Sequence, residues 1–282
     1  MPRDIDAFTS ATLKHLRERW WDATFTEFLR DTLQPRAGKR ILDVGCGTGT
    51  AEVSFGLLGL SQVRLFAVDL LTPRVTQARA EAAAHNVRVG YATADACALP
   101  FRDRVFDSTF CVAVLQHVRD LDQAIGEFAR VTRLGGRVLV VEPDNSTRYW
   151  YSSCESGFRA FEVGSQFFAA SAEARGDRPD ATVGPTIPSR FLQHGIEPRS
   201  VRLFPVAVSR LGCPPPAVWQ ARRAAIRAAI DQAPTQPIRR LGEEYAQRLE
   251  RYAEDAKAAG GAFVEIQNTT LFATEGQRVD AS

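Results

Sequence analysis

A glycine-rich stretch near the amino terminus constrains the fold of this chain more than any other feature. Gly45, Gly47 and Gly49 alternate with other residues directly after a short apolar segment that contains Ile41 and Leu42. Glycine has no Cβ and therefore lets the backbone approach a ligand closely where a strand turns into a helix. The pattern predicts a loop at the end of a strand that binds a small molecule.

Two common phosphate-binding loops do not fit this stretch. A P-loop needs a Gly-Lys-Ser/Thr sequence, which is absent here. A dinucleotide-binding loop has the spacing GxGxxG, whereas Thr50 stands where its third glycine is expected. Asp43, at the end of the strand, would repel a pyrophosphate and attract a ligand ammonium.

Strands and helices alternate after the glycine loop. Strands are predicted at residues 63–68, 87–91, 106–114 and 138–141, and helices at 73–84 and 121–132, with a turn at 134–136. This rhythm predicts an α/β fold with a doubly wound, mostly parallel sheet.

The flanking regions are predicted to be mainly helical. One amphipathic helix is expected from Thr9 or Ser10 to Pro35, and an aromatic-rich helix from Tyr149 to Arg175. Later elements are a helix end at 191–195, strands at 200–208 and 262–273, and helices at 217–230 and 238–259. The predicted division is an N-terminal lid helix (1–37), a cofactor-binding core (38–145), and helical insertions with the last strands (146–282).

Two acidic residues follow the second and third strands. Asp69 comes 20 positions after Gly49, where a carboxylate can accept hydrogen bonds from both ribose hydroxyls. Asp95 is placed to accept from an adenine amino group, with Leu99 and Phe101 as apolar cover. The inferred ligand has an adenine, a ribose and an ammonium, and no phosphate.

These motifs resemble those of class I S-adenosylmethionine-dependent methyltransferases, within the small-molecule group called type 11/25. The resemblance covers residues 39–144, and includes the loop from Asp43, the acid Asp69, the pair Asp95-Ala96, and segments 106–117 and 134–142. It implies a seven-stranded sheet whose last strand is antiparallel, and S-adenosyl-L-methionine as cofactor. The predicted cofactor-binding residues are Asp43, Gly45, Cys46, Gly47, Gly49, Asp69, Leu70, Asp95, Ala96, Cys111 and Gln116.

His117 is the predicted catalytic residue, because an imidazole beyond the fourth strand can act as a general base near neutral pH. A histidine that only fixes the loop is the alternative reading. Glu142 and Asp144 are weaker candidates for the base. Trp20, Trp21, Tyr149 and Trp150 are predicted to contact the substrate, although packing of these aromatic rings against the sheet is equally compatible with the pattern.

The predicted reaction is in-line methyl transfer to an oxygen or nitrogen atom of a small organic acceptor. An RNA or protein methyltransferase that docks its substrate through arginines such as Arg222 and Arg239 is the first alternative. A non-catalytic cofactor-binding regulatory protein and a nicotinamide oxidoreductase are the others.

The composition of the chain limits the kinds of partner that we expect it to bind. Thirty-five Lys and Arg against 33 Asp and Glu leave a net charge of +2, which does not favour binding of a nucleic acid over the whole chain. The sequence has no secretory signal or long apolar run, and its five cysteines form no CxxC pair. We expect a cytoplasmic monomer or homodimer without a metal site or membrane attachment.

Overall fold

The computed structural model describes residues 21–57, 62–175 and 182–280, which form a seven-stranded sheet and eight α-helices. The strands are β1 Arg40–Val44, β2 Arg64–Asp69, β3 Val89–Thr93, β4 Phe106–Val112, β5 Thr132–Ser152, β6 Ile196–Leu211 and β7 Val264–Arg278. The helices are α1 Ala23–Leu33, α2 Thr50–Leu57, α3 Thr72–Ala84, α4 Leu121–Val131, α5 Glu155–Ala174, α6 Val183–Gln193, α7 Pro216–Asp231 and α8 Gln236–Ala259. Short 3-10 helices span Leu115–His117 and Gly260–Ala262.

The sheet has the strand order β3-β2-β1-β4-β5-β7-β6. Strands β1 to β5 pair in parallel. Gln277 donates to the carbonyl of Gly135, while Glu275 pairs with Arg137, so β7 runs opposite to β5. The α/β, doubly wound and mostly parallel sheet predicted from the sequence is confirmed, including its antiparallel last strand.

Strand β6 forms one edge of the sheet. It contains Pro198 and Pro205, which have no N–H group to donate to a neighbouring strand. The apolar side chains of Val201 and Leu203 are 46% and 55% exposed. This edge therefore combines exposed apolar side chains with interruptions in its backbone hydrogen-bonding groups.

The chain divides into two compact units. The glycine-loop unit comprises the described parts of 20–144, 182–204 and 270–282. Its interior strands are buried on both faces, as expected for parallel strands covered by helices: Ile41, Leu42 and residues 138–141 are all 0% exposed. The helical unit comprises the described parts of 145–181 and 205–269.

The predicted helix from Tyr149 to Arg175 is wrong at its start. Tyr149 and the residues up to Ser152 belong to β5, and α5 begins only at Glu155. The strand is extended because Ser153 continues its pairing with β7: its N–H donates to the carbonyl of Val264 at 2.9 Å, and its hydroxyl accepts from the N–H of Val264 at 2.9 Å. Aromatic residues favour strands as well as helices, so local pattern did not distinguish the two.

The amino-terminal helix also differs from the prediction. Asp22 is extended, and its carboxylate accepts from the N–H of Phe25 at 2.8 Å, which makes it the N-cap of α1. The prediction of a single helix that runs through Trp21 and Asp22 is therefore wrong. The predicted starts at Thr9 and Ser10 lie outside the described residues.

The predicted turn at residues 134–136 is part of β5. Gly135 has a φ of +71°, and the register with β4 shifts between Phe106 and Ser108, which lie opposite Thr132 and Arg137. The turn residues thus form an irregularity inside a strand of 21 residues. No described helix has the length and apolar character needed to cross a membrane.

A buried ion cluster holds the helical unit together. Glu265 on β7 is 0% exposed and accepts hydrogen bonds from Arg210 at 2.6 Å, from Arg222 at 2.9 Å, and from the hydroxyl of Tyr252 at 2.8 Å. Burial acts to raise the pKa of Glu265, but the two arginines and the hydroxyl bring it below its usual value. Arg222 also lies 4.9 Å from the ring centroid of Trp219.

We predict that Glu265→Gln lowers the free energy of unfolding by about 3–5 kcal/mol, because it leaves two partly buried guanidinium groups without their carboxylate. Urea unfolding followed by tryptophan fluorescence measures this change. Glu250→Gln is the matched control, since Glu250 on α8 pairs with Arg223 on α7 but its side chain is 52% exposed, and it should cost less than about 1 kcal/mol. Equal effects of the two substitutions would contradict the role assigned to burial.

Candidate active site

The glycine loop connects β1 to α2 in a conformation that requires glycine. Gly45, Gly47 and Gly49 have φ values of +79°, +56° and +87°. A Cβ on Gly45 would lie 2.3 Å from a methyl carbon of Val114, so no larger residue fits there without displacing the segment after β4. The loop is therefore packed directly against the carboxyl end of β4.

Asp69 fixes the middle of the loop. One carboxylate oxygen accepts from the N–H of Gly47 and the other from the N–H of Leu71, both at 2.9 Å. The side chain is 6% exposed. Each oxygen keeps a further lone pair, so the carboxylate can also accept hydrogen bonds from a ligand.

Asp95 and Leu70 lie at the same end of the sheet, after β3 and β2. The exposed Asp95 carboxylate accepts from the N–H of Cys97 at 2.9 Å, which closes a turn. Ala96 beside it is buried, whereas Leu70 is 59% exposed. The N–H of Ala94 donates to the carbonyl of Asp69 at 3.0 Å and connects the two acidic positions through the backbone.

Glu142, at 0% exposure on β5, positions the segment after β4. One of its oxygens accepts from the N–H groups of Val114 and Leu115, both at 2.7 Å, and the other accepts from the N–H of Gln116 at 3.3 Å. Because these N–H groups occupy the carboxylate, we assign Glu142 a positioning role and not the role of a base. Cys111 lies beneath, fully buried, and burial raises the pKa of its thiol well above the usual value.

His117 ends the 3-10 helix that Glu142 holds in place. Its side chain is exposed, and its backbone N–H donates to the carbonyl of Val114 at 2.9 Å. The side-chain amide of Gln116 lies 3.5 Å from the carbonyl of Ala113. Both side chains stand beyond the carboxyl end of β4, which is the end where open α/β sheets bind ligands.

Buried acids lie beneath the glycine loop, and sequence reasoning found only one of them. Asp43 on β1 is 5% exposed, and Glu52 in the first turn of α2 is 2% exposed. Burial raises the pKa of the Cys46 thiol, with further contributions from Asp43, Glu52 and Asp69. The negative potential beneath the loop opposes a phosphate and favours a cation. A glutamate among the apolar residues of α2 was the only available signal for Glu52.

The four predicted substrate residues are distributed over the chain. Trp20 lies outside the described residues, and Trp21 packs edge-on against Phe25 with their centroids 5.2 Å apart. Tyr149 and Trp150 belong to the helical unit, where Trp150 stacks on Phe161 at 4.9 Å. In the described part of the chain, no three His, Cys, Asp or Glu side chains come together as a metal site would require.

Most of the predicted cofactor-binding residues thus lie at the carboxyl ends of the parallel strands. The residues gathered there are Asp43, Gly45, Cys46, Gly47, Gly49, Asp69, Leu70, Asp95, Ala96 and Gln116, with His117. Cys111 lies inside β4. Their roles toward a ligand stay predictions.

Comparisons with known proteins agree with this arrangement. Residues 42–140 match a family model described as a methyltransferase domain. The chain is 37% identical over 130 residues to a ubiquinone/menaquinone biosynthesis C-methyltransferase of Ruegeria sp. (strain TM1040), covering 44% of this chain and 48% of that protein. It is 35% identical over 133 residues to the 27-O-demethylrifamycin SV methyltransferase of Amycolatopsis mediterranei (strain S699), covering 46% of each.

The solved structure of the YcgJ protein from Bacillus subtilis has a similar fold, with a TM-score of 0.56, 17% identity, and coverage of 90% of this chain and 97% of that one. The chain spans about half the length of the curated relatives that it matches. The region matched by the family model contains the glycine loop, Asp69, Asp95, His117 and the first part of β5. Residues 42–140 are thus similar to a methyltransferase domain, in the same region whose motifs resemble those of class I S-adenosylmethionine-dependent methyltransferases.

Proposed function

We propose that this protein transfers a methyl group from S-adenosyl-L-methionine to an oxygen or nitrogen atom of a small organic molecule. The observation that carries the proposal is the glycine loop with buried acids beneath it and the Asp69 carboxylate at its side. A nucleoside with a cationic amino-acid end fits this combination, because it needs an acceptor for its ribose and negative charge for its ammonium. A phosphate-bearing nucleotide does not fit this combination, because the buried acids oppose its negative charge.

The proposed cofactor contacts follow the order of the strands. Asp43 and the loop from Gly45 to Gly49 hold the amino-acid end, Asp69 the ribose, and Asp95 the adenine amino group. Leu70 and Ala96 cover the adenine, and Gln116 closes the site after β4. Cys46 and Cys111 contribute volume to this set, since burial raises the pKa of both thiols and keeps them neutral.

Bound S-adenosyl-L-methionine supplies an electrophilic methyl group on a positively charged sulfur. The protein then has to hold the acceptor in line with that methyl group and exclude water. For an acceptor that loses a proton, we propose His117 as the base, since its exposed imidazole stands on a turn fixed by Glu142.

The proposed class of acceptor is inferred from the relatives of this chain. One relative acts in ubiquinone and menaquinone biosynthesis and another acts on a rifamycin, and both act on small molecules. We propose that segments 1–37 and 146–282, including Trp20, Trp21, Tyr149 and Trp150, determine which acceptor is chosen. The C-methyltransferase among the relatives makes carbon a further atom to examine in the product.

We predict that S-adenosyl-L-methionine and S-adenosyl-L-homocysteine bind with dissociation constants of about 1–100 μM in calorimetric titrations, and that NADH does not bind. Mass spectrometry of a panel of phenols, hydroquinones and amines incubated with enzyme and cofactor should then show the addition of one methyl group. Cofactor binding without any transfer would favour the regulatory alternative. Salt-sensitive binding of RNA would favour the nucleic-acid alternative.

We predict that Asp69→Ala weakens binding of S-adenosyl-L-homocysteine by about 10- to 100-fold, because the ribose loses its acceptor. The same change leaves two backbone N–H groups without a partner and should lower stability by about 1–3 kcal/mol. Calorimetry and urea unfolding measure the two effects. Thr76→Ala, an exposed change on α3, is the control and should alter neither. Unchanged affinity in Asp69→Ala would overturn the ribose assignment.

We predict that His117→Asn lowers kcat about 100-fold for an acceptor that must lose a proton, and leaves cofactor affinity unchanged. Single-turnover assays with the acceptor identified above provide the rate. His85→Asn at the exposed end of α3 is the matched control and should keep full activity. A normal rate in His117→Asn would leave His117 with only a role in fixing the loop.

A further inference from the structure

A cavity of about 240 Å³ lies at the end of the sheet opposite to the glycine loop. Its polar lining consists of Asp103, Arg104, Arg130, His194 and Arg278, which all belong to the glycine-loop unit. Arg104 comes shortly before β4 begins, and Arg278 ends β7, which runs opposite to β5. Cavities for drug-sized ligands measure about 300–1,000 Å³, so this cavity fits a smaller group.

Arg130 fixes one wall of the cavity. Its Nη1 donates to the carbonyl of Phe101 at 2.7 Å and to the carboxylate of Asp103 at 2.8 Å. Its other N–H groups donate to the carboxylate of Glu127 and to the carbonyl of Leu99. All five donors of this guanidinium are thereby used within the protein. Arg130 therefore holds the segment before β4 against α4 and offers no donor to a ligand.

Arg104 has a backbone conformation that side chains rarely adopt. Its φ is +58°, in the left-handed region that favours glycine. Its backbone N–H donates to the carbonyl of Arg130 at 2.8 Å and so fixes the turn. Within residues 21–57, 62–175 and 182–280, its guanidinium has no hydrogen-bond or ion-pair partner. The structure thus holds an arginine in a costly conformation and leaves its charge unused, a combination typical of ligand sites.

Arg278 is held by backbone carbonyls and not by a carboxylate. Its Nε donates to the carbonyl of Ala129 at 3.1 Å, and its Nη1 donates to the carbonyls of Gly195 and Val279, both at 2.6 Å. Among the residues that the structure describes, no carboxylate pairs with this guanidinium and its Nη2 has no acceptor. The bond to Ala129 also occupies a carbonyl near the end of α4, where a helix presents negative partial charge.

The acids near the cavity leave these two arginines unpaired. Asp122 accepts from Arg190 at 2.6 Å and lies 3.3 Å from Nε2 of His194. Of the described lining residues, only Asp103 carries a carboxylate, and it is 69% exposed and bonded to Arg130. The lining therefore combines two guanidinium groups without a carboxylate partner and one acid that pairs with a third.

We propose that this cavity binds a phosphate group, as free phosphate or on a small phosphorylated molecule, through Arg104 and Arg278. A phosphate has enough terminal oxygens to accept from two guanidinium groups, whereas a carboxylate has two oxygens and is matched by one guanidinium. The length of β4, about 20 Å, separates this cavity from the ligand end of the sheet. The site is therefore independent of the proposed methyl transfer.

Calorimetric titration of the whole protein with inorganic phosphate, glucose 6-phosphate and acetate, at constant ionic strength, tests the site. We expect phosphate or its ester to bind with a dissociation constant of about 0.1–1 mM, and acetate to bind at least about tenfold more weakly. Tighter binding of glucose 6-phosphate would identify a phosphorylated molecule as the ligand, and the reverse order would identify free phosphate. Absence of binding by both, or equal binding of acetate, would overturn the proposal.

The variant Arg104→Gln should bind phosphate at least about tenfold more weakly, because it removes one of the two available cations. It should not lower the Tm, since the lost guanidinium has no partner in the described part of the chain. Arg102→Gln is the matched control, because Arg102 is exposed on the same segment and does not line the cavity. Equal weakening by the two substitutions would indicate unspecific attraction and would refute the assigned site.

Asp103→Asn should bind phosphate about three- to tenfold more tightly, because it removes the carboxylate from the lining and keeps the shape of the side chain. Weaker binding by this variant would contradict the proposed charge balance.

A thermal shift provides an independent measurement. About 10 mM phosphate should raise the Tm of the wild type by about 2–5 °C relative to sodium chloride at the same ionic strength. The Tm of Arg104→Gln should not change under the same conditions. Because general stabilisation by phosphate acts on both proteins, an equal shift in the two would count against a specific site.

Discussion

The hydrogen bond from the N–H of Gly47 to the Asp69 carboxylate connects the elements on which the candidate site depends. It joins the loop after β1 to the end of β2, and the second carboxylate oxygen holds Leu71 at the start of the following helix. Glu142 makes the equivalent connection between β5 and the segment after β4. Buried carboxylates bound by backbone N–H groups thus set the positions of loops that parallel strands alone would leave free.

The same arrangement explains why the glycines cannot be replaced by merely flexible residues. Gly45 must have a positive φ and must also let Val114 approach to a distance that excludes a side chain. Val114 in turn is fixed through its N–H by Glu142. The geometry of the loop is therefore determined from two sides, by β2 through Asp69 and by β5 through Glu142.

The sequence predicted the core of the fold because its signals there are local and mutually consistent. Several local signals each indicate one structure. They are apolar runs such as residues 138–141, the spacing from Gly49 to Asp69, and the turn chemistry at Gly195. The prediction failed for residues 149–152, which belong to β5. Ser153, directly after them, pairs with Val264 of β7, more than a hundred residues further along the chain. The burial of Glu52 and Glu265 was equally hidden, because a glutamate looks the same in sequence whether it is exposed to water or buried in the protein.

The edge strand β6 has a consequence for how the chain behaves among its own copies. A sheet edge with exposed apolar side chains such as Val201 and Leu203 is a template for an incoming strand of another molecule. Pro198 and Pro205 interrupt the row of donors that such a strand would need, and Arg199 and Arg202 add like charges along it. The protein thereby has a built-in barrier to sheet extension, and replacement of these prolines by β-branched residues would favour aggregation during expression before it affected catalysis.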